Sequence, residues 1–140
     1  MNYVIDPFRG VGGIEFGMAP KDVRSRMGAD FRLFKRTPEV EVPSDYFPKD
    51  GVFFYYDASG LLEAIEFAGP ARPTVNGLDL LNLAFEKAVT KLAVLDKYIE
   101  EDADGAIAHH LGVSLYVPLL KDDRNAPVRG ILAFRRGYYD

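Results

Sequence analysis

The stretch GVFFYYDASGLLEAIEFAG, residues 51–69, contains two runs of aromatic and aliphatic residues around Asp57-Ala58-Ser59-Gly60. Runs of that length and composition favour β-strands, and an Asp/Ser/Gly cluster between them is turn chemistry, so the stretch predicts an antiparallel hairpin. Glu63 and Glu66 are an odd number of residues apart, which predicts opposite faces of the second strand. Upstream, TPEVEVPSDYFPKDG places Pro38, Pro43 and Pro48 where each removes a backbone donor, and this predicts an exposed acidic loop carrying Tyr46 and Phe47.

Further upstream, GMAPKDVRSRMG (residues 17–28) reads as a short helix. Pro20 suits the first helical position, Val23 and Met27 share a face, and Gly28 can end the helix with a positive φ. Ala19 stands where a capping side chain is normally found, so packing must hold this helix. GIEF before it and DFRLFKR after it read as strands, giving a strand–helix–strand unit. The glycines of GVGGIEFG fit neither G-x-G-x-x-G nor the phosphate-binding loop, and predict a flexible lead-in to a strand.

The second half repeats the plan. Residues 17–28 align with NLAFEKAVTKLA (82–93), GVFFYY from Gly51 with GVSLYV from Gly112, and LLEAIEF from Leu61 with VRGILAF from Val128. The second helix is taken to begin at Asn82, with Phe85, Ala88, Val89 and Leu92 as its apolar stripe. PLLKDDRNAPVRG is the longer connection between the last two strands. The reading is one α+β domain, residues 1–140, with an internal duplication over about 10–69 and 74–140, each half a helix packed on an antiparallel sheet. Its core is predicted from Val23, Met27, Phe54, Ile65, Phe67, Phe85, Val89, Leu92, Leu115, Leu132 and Phe134.

The sequence FGMAPKDVRSRMG followed by aromatic hairpins resembles the Gly-Met-Thr-x-x-x-Val-x-x-x-x-Gly helix start of small outer-membrane assembly lipoproteins. The duplicated plan is similar to the tandem repeat of β-lactamase inhibitory proteins. The ending ILAFRRGYYD resembles that of small bacterial proteins of immunity type. These resemblances imply a helix-plus-sheet module that binds another protein, and they bring no catalytic residue with them. Two departures stand out: Ala19 replaces the usual Thr, and no export signal is expected ahead of the domain.

Composition narrows the function classes. Of 140 residues 48% are apolar and 13% aromatic, enough to order a sheet-rich core. The chain has no cysteine, so disulfides and thiolate chemistry are excluded, which fits a reducing compartment. The opening MNYVIDPFRGVGG has no basic leader and apolar run, and the expectation is a cytoplasmic protein without a membrane segment. A net charge of -4 argues against a general nucleic-acid binder. His109 and His110 are adjacent, so no shared metal site is expected, nor any cofactor.

The charges are segregated: Lys21–Arg36 is basic, whereas Asp96–Asp104 and Glu39–Asp50 are acidic. Acidic loops bearing aromatic anchors suit a protein interface. The candidate partner-binding residues are therefore Asp45, Tyr46, Asp50, Glu100, Glu101, Asp102, Asp104, Tyr138 and Tyr139. The expected partner is a protein, such as a cognate toxin with a basic cleft, and the expected role is a non-catalytic immunity protein or inhibitor. The alternative is a small enzyme or small-molecule binder with Tyr55, Glu63 or His109 in a pocket between sheet and helices.

Overall fold

The structure is a computed structural model that describes residues 3–140. In chain order it contains β1 (Tyr3–Asp6), β2 (Gly10–Val11), β3 (Ile14–Glu15), α1 (Pro20–Met27), β4 (Arg32–Phe34), β5 (Ser44–Phe47), β6 (Val52–Tyr56) and β7 (Leu62–Phe67). There follow β8 (Pro73–Val75), α2 (Phe85–Leu95), β9 (Ile99–Asp102), β10 (Gly105–Ala108), β11 (Val113–Tyr116) and β12 (Gly130–Phe134). The fold is α+β and mostly sheet.

The hairpin forms as predicted, β6 pairing antiparallel with β7 across the Asp57–Gly60 turn. Asp57 Oδ1 accepts the backbone N–H groups of Ser59 and Leu61, which is why an Asp opens that turn. The hairpin belongs to one eight-stranded sheet ordered β4-β5-β6-β7-β12-β11-β10-β9. Two meanders thus run in opposite directions from an antiparallel β7–β12 seam.

The aligned segments fall at matching places in these meanders. The Gly51 N–H donates to the Phe47 carbonyl at 2.9 Å, and the Gly112 N–H to the Ala108 carbonyl at 3.0 Å. Both glycines have positive φ, 72° and 67°, a conformation an L side chain adopts only with strain. A Cβ on Gly51 would stand 2.4 Å from the Ala68 carbonyl oxygen, and one on Gly112 would stand 3.0 Å from the Phe8 ring. Ahead of the helices, Gly17 N–H bonds the Leu62 carbonyl while Leu62 N–H bonds that of Met18. Asn82, Val128 and Leu83 repeat the same exchange.

Several expectations are corrected. Asn82 does not begin the second helix: it sits at φ 72°, and the cap position is Ala84, which like Ala19 makes no side-chain cap bond. Phe54 faces Ile65 and Leu115 faces Ile131, so Ile131, not Leu132, is the counterpart of Ile65. The expected alignment is one residue out because β12 is apolar on both faces and carries no alternation to fix its register. Leu132 is accordingly half-buried on the other face, and Phe134, though buried, joins a separate cluster there. Met27 and Val89 lie half-buried at the margin of the main core, while the other predicted core residues are buried.

The Pro-bounded segment 38–50 is not simply a loop. Ser44–Phe47 form β5, an inner strand between β4 and β6, with Pro43 and Pro48 just outside it, where a missing donor costs nothing. Nor is the glycine-rich start a flexible lead-in. Val11 pairs with Ile14 across Gly12-Gly13, both at positive φ, the signature of a two-residue hairpin turn. That hairpin extends a second sheet, ordered β3-β2-β1-β8, which the sequence reading did not anticipate. The strand before α1 and the strand after it therefore lie in different sheets.

One core joins these parts. Val52, Phe54, Ile65, Phe67, Leu115 and Ile131 from one face of the large sheet meet Val23 of α1, Phe85, Ala88 and Leu92 of α2, and Tyr3, Ile5 and Val75 of the small sheet. Among the described residues, no helix lies on the opposite face of the large sheet, whose buried cluster contains no helix residue.

Candidate functional site

Strand registers define the helix-free face. Tyr46 and Glu66 both pair with Phe53, Leu132 with Glu66, Ser114 with Leu132, Ile107 with Ser114 and Glu100 with Ile107, so these residues share one face. At its middle, Tyr55, Ala64 and Phe134 form a small buried cluster under Phe8 and Tyr138. The closing turn crosses here: Tyr138 and Tyr139 both pack on the Phe134 ring, and Arg36 Nη1 donates to the Tyr138 hydroxyl at 3.3 Å.

The turn divides the face. On the β4–β6 side Tyr46 stacks on Phe53 at 4.2 Å, and Phe34 meets both Phe53 and Tyr55 edge-on. The Arg36 guanidinium covers the Tyr55 ring at 4.2 Å and reaches Glu63 Oε1 at 3.4 Å. The Tyr55 hydroxyl donates to Glu66 Oε1 at 2.5 Å, and burial, then the Glu66 charge, push its pKa well above the usual tyrosine value. Glu63 and Glu66 thus both engage the surroundings of Tyr55 rather than opposite faces. Tyr55 opposes Ala64 and Tyr56 opposes Leu62, which leaves Glu63 as an extra, bulged residue and breaks the alternation between them.

On the β9–β11 side lies a cleft of about 200 Å³ lined by Glu66, Asp102, Asp104, Ser114, Tyr116 and Tyr139. Tyr116 is 48% exposed and Tyr139 47%. The Tyr139 hydroxyl lies 3.4 Å from Ser114 Oγ, and burial, as the larger influence, raises its pKa. Three carboxylates beside two tyrosines make the cleft suited to a cationic group, through ion pairing and the faces of the rings.

The predicted site residues are only partly brought together. Asp102, Asp104 and Tyr139 share this cleft, and Glu100 is on the same face, bonded to His109 at 2.8 Å. Glu101 points to the helix side, where Arg124 bridges it to Glu86. Asp45 is the clear correction: it is 0% exposed and cannot act as a rim charge. It accepts two bonds from Arg24, at 3.0 and 2.8 Å, and one from the Tyr56 hydroxyl at 2.8 Å. Burial, then its bond to Asp45, raises the Tyr56 pKa, and Arg24's own bonds to Asp45 raise that of Arg24. Tyr46 and the half-buried Asp50 lie near β5, six strand spacings from β9, roughly 29 Å at ~4.8 Å per strand. The two acidic segments therefore lie at separate places along the sheet.

His109 and His110 occupy the turn after β10. His109 stacks on Tyr98 at 4.1 Å, and His110 is held through its backbone N–H by Asp96. Among the described residues no group of three or more His, Asp or Glu is arranged to hold a metal ion, and no helix is long and apolar enough to cross a membrane. Tyr55, Glu63 and His109 do not meet between sheet and helices. Glu63 instead borders an open cavity of about 500 Å³ beside the 39–42 segment, with Arg36, Val40, Val42 and Asp57. The sequence reading overlooked Ser114 and Tyr116, which the alternation of β11 would have placed together on one face.

No family model, curated protein or solved structure matches the chain.

Proposed function

We infer that the chain is a non-catalytic protein-binding protein whose partner docks on the helix-free sheet face and places a lysine or arginine side chain in the Glu66–Asp102–Asp104 cleft. The observation that carries this reading is the cleft itself, where three carboxylates meet two half-exposed tyrosines on a face that no helix covers. Aromatic residues with an acidic surround are the composition of an interface anchor with steering charges.

The narrower reading is a cytosolic bacterial immunity protein or inhibitor that neutralises a toxin with a basic cleft. It draws support from the acidic, aromatic character of this face and from the resemblance to tandem-repeat inhibitors. Origin by duplication of a helix-and-meander unit is supported by the repeated turn at Gly51 and Gly112 and the repeated backbone exchange at Gly17 and Asn82.

The test is capture of the partner from the source cell with the immobilised chain, followed by binding kinetics. The Asp102→Lys/Asp104→Lys variant should keep its melting temperature and slow association about tenfold at low salt, with the difference shrinking as salt rises. Tyr116→Ala should speed dissociation about tenfold, the signature of a lost anchor. Unchanged kinetics in both variants overturn the cleft as the docking site. The alternative, a small-molecule binder, draws on the cavity beside Glu63 and Arg36, and a ligand that raises the melting temperature of the wild type but not of Arg36→Ala would favour it.

A further inference from the structure

The two edge strands of the large sheet, β4 and β9, are each paired on one side only and carry opposite charge. In register, Arg32 opposes Tyr46, the third residue of β5, and Glu100 opposes Ile107, the third residue of β10. Arg32-Leu33-Phe34 at one edge thus corresponds to Glu100-Glu101-Asp102 at the other. Lys35 and Arg36 follow the first edge, and Asp104 follows the second. Each edge also exposes apolar surface: Leu33, 57% exposed, at β4, and Leu95 and Tyr98, 41% and 52%, leading into β9.

An open edge presents unpaired backbone donors and acceptors and so offers a template for another strand. Three pairings between copies are conceivable. β4 on β4 sets Arg32 and Lys35 against like charges, and β9 on β9 does the same with Glu100 and Asp102, both unfavourable. Only β4 of one copy on β9 of the next opposes unlike charges while covering Leu33 and Tyr98.

We propose that a second copy of this chain is the occupant of the β9 edge, adding its β4 strand so that the large sheet continues from copy to copy. The contact joins two different surfaces, so it repeats instead of closing on itself, and its product is a concentration-dependent series of head-to-tail oligomers. The proposal uses the sheet edges; Asp102 belongs to both the β9 edge and the cleft, whereas Arg32 and Lys35 belong to the edge alone, so the Arg32→Glu/Lys35→Glu variant tests the edge apart from the cleft reading.

Sedimentation equilibrium of the purified full chain tests it, at about 0.02 M salt and at about 1 M, where the screening length falls to ~3 Å. The expected result is an average mass that climbs with concentration to at least about twice that of one chain at low salt and returns to one chain at high salt. Arg32→Glu/Lys35→Glu alone, and Glu100→Lys/Asp102→Lys alone, should each stay monomeric while keeping the wild-type circular dichroism. All four changes in one chain restore unlike edges and should restore association. A monomer under every condition overturns the proposal. So does a closed dimer that stops growing with concentration, or association that persists in either single-edge variant.

Discussion

The two meanders of the large sheet solve the same packing problem with opposite chemistry. Arg24 is the fifth residue of α1 and Val89 the fifth of α2; Asp45 is the second residue of β5 and Ala106 the second of β10; Tyr56 and Val117 each stand four residues beyond the first residue of β6 and β11. In the first meander the three form a hydrogen-bonded ion pair and phenol around a carboxylate with no exposure. In the second they are Val89, Ala106 and Val117, with Ala106 and Val117 fully buried. The fold therefore does not need charge at this position. A buried carboxylate is tolerable only when its partners are present, whereas apolar groups of matching shape need none.

Breaking this difference should give the largest effect. Arg24→Leu removes both charge-assisted bonds while Asp45 stays buried, and should cost about 3 kcal/mol in urea unfolding. Converting the site to the chemistry of the other meander, with Arg24→Met, Asp45→Ala and Tyr56→Phe together, should recover most of that loss. A triple variant less stable than Arg24→Leu would show that the polar trio contributes more than an apolar filling can replace.

The turns joining the second and third strands of each meander differ in the same sense. Asp96, 1% exposed, accepts the backbone N–H groups of Tyr98, His110 and Leu111 at 2.8 to 2.9 Å, and so ties the 109–112 turn to the end of α2. Among the described residues the only side-chain bond of the 48–51 turn is Lys49 to Asp30 at 3.5 Å, with both side chains more than 80% exposed. Asp96→Ala leaves buried donors without a partner and should cost about 2 kcal/mol or more, measured by chemical denaturation.

Alkaline pH should separate the meanders further. Burial and neighbouring carboxylates raise the pKa of Tyr55 and Tyr56 well above 10, and burial, then the Asp50 charge, pushes Tyr3 up to about 12. Above pH 10 the unfolded chain loses these protons while the folded chain keeps them. The contribution of these tyrosines is therefore fully present below pH 10 and is lost as pH rises toward the folded values. Tyr55→Phe/Tyr56→Phe should flatten this fall without altering the neutral-pH dependence, as read by melting temperature against pH. The smallest effect belongs to Lys49→Ala, expected within about 0.5 kcal/mol of wild type because an exposed ion pair contributes little.

Much of the fold was legible where a local rule was sufficient. The 51–69 hairpin announced itself through its turn residues, and α1 through Pro20 and Gly28. Legibility failed where two rules competed. Proline punctuation concealed β5, since Pro43 and Pro48 flank a four-residue strand instead of interrupting it. An apolar run without alternation hid the register of β12, and a bulge at Glu63 moved one carboxylate. For the candidate site, Asp102, Asp104 and Tyr139 could be named from composition, but nothing local tied them to Glu66, Ser114 and Tyr116 on other strands.

What the sequence determined by itself was the alphabet of elements: the ends of the first helix, the turns that demand glycine, the apolar residues available for a core, and the separation of basic from acidic segments. Those follow from backbone sterics and side-chain chemistry acting within a few residues. What only the tertiary structure decided was the destination of each charge. Asp45 and Asp104 are equally acidic as sequence, yet one is enclosed against Arg24 and Tyr56 and the other stands exposed at the rim of a cleft. Burial and partners depend on which strands become neighbours, and strand order is fixed by the core as a whole rather than by any one segment.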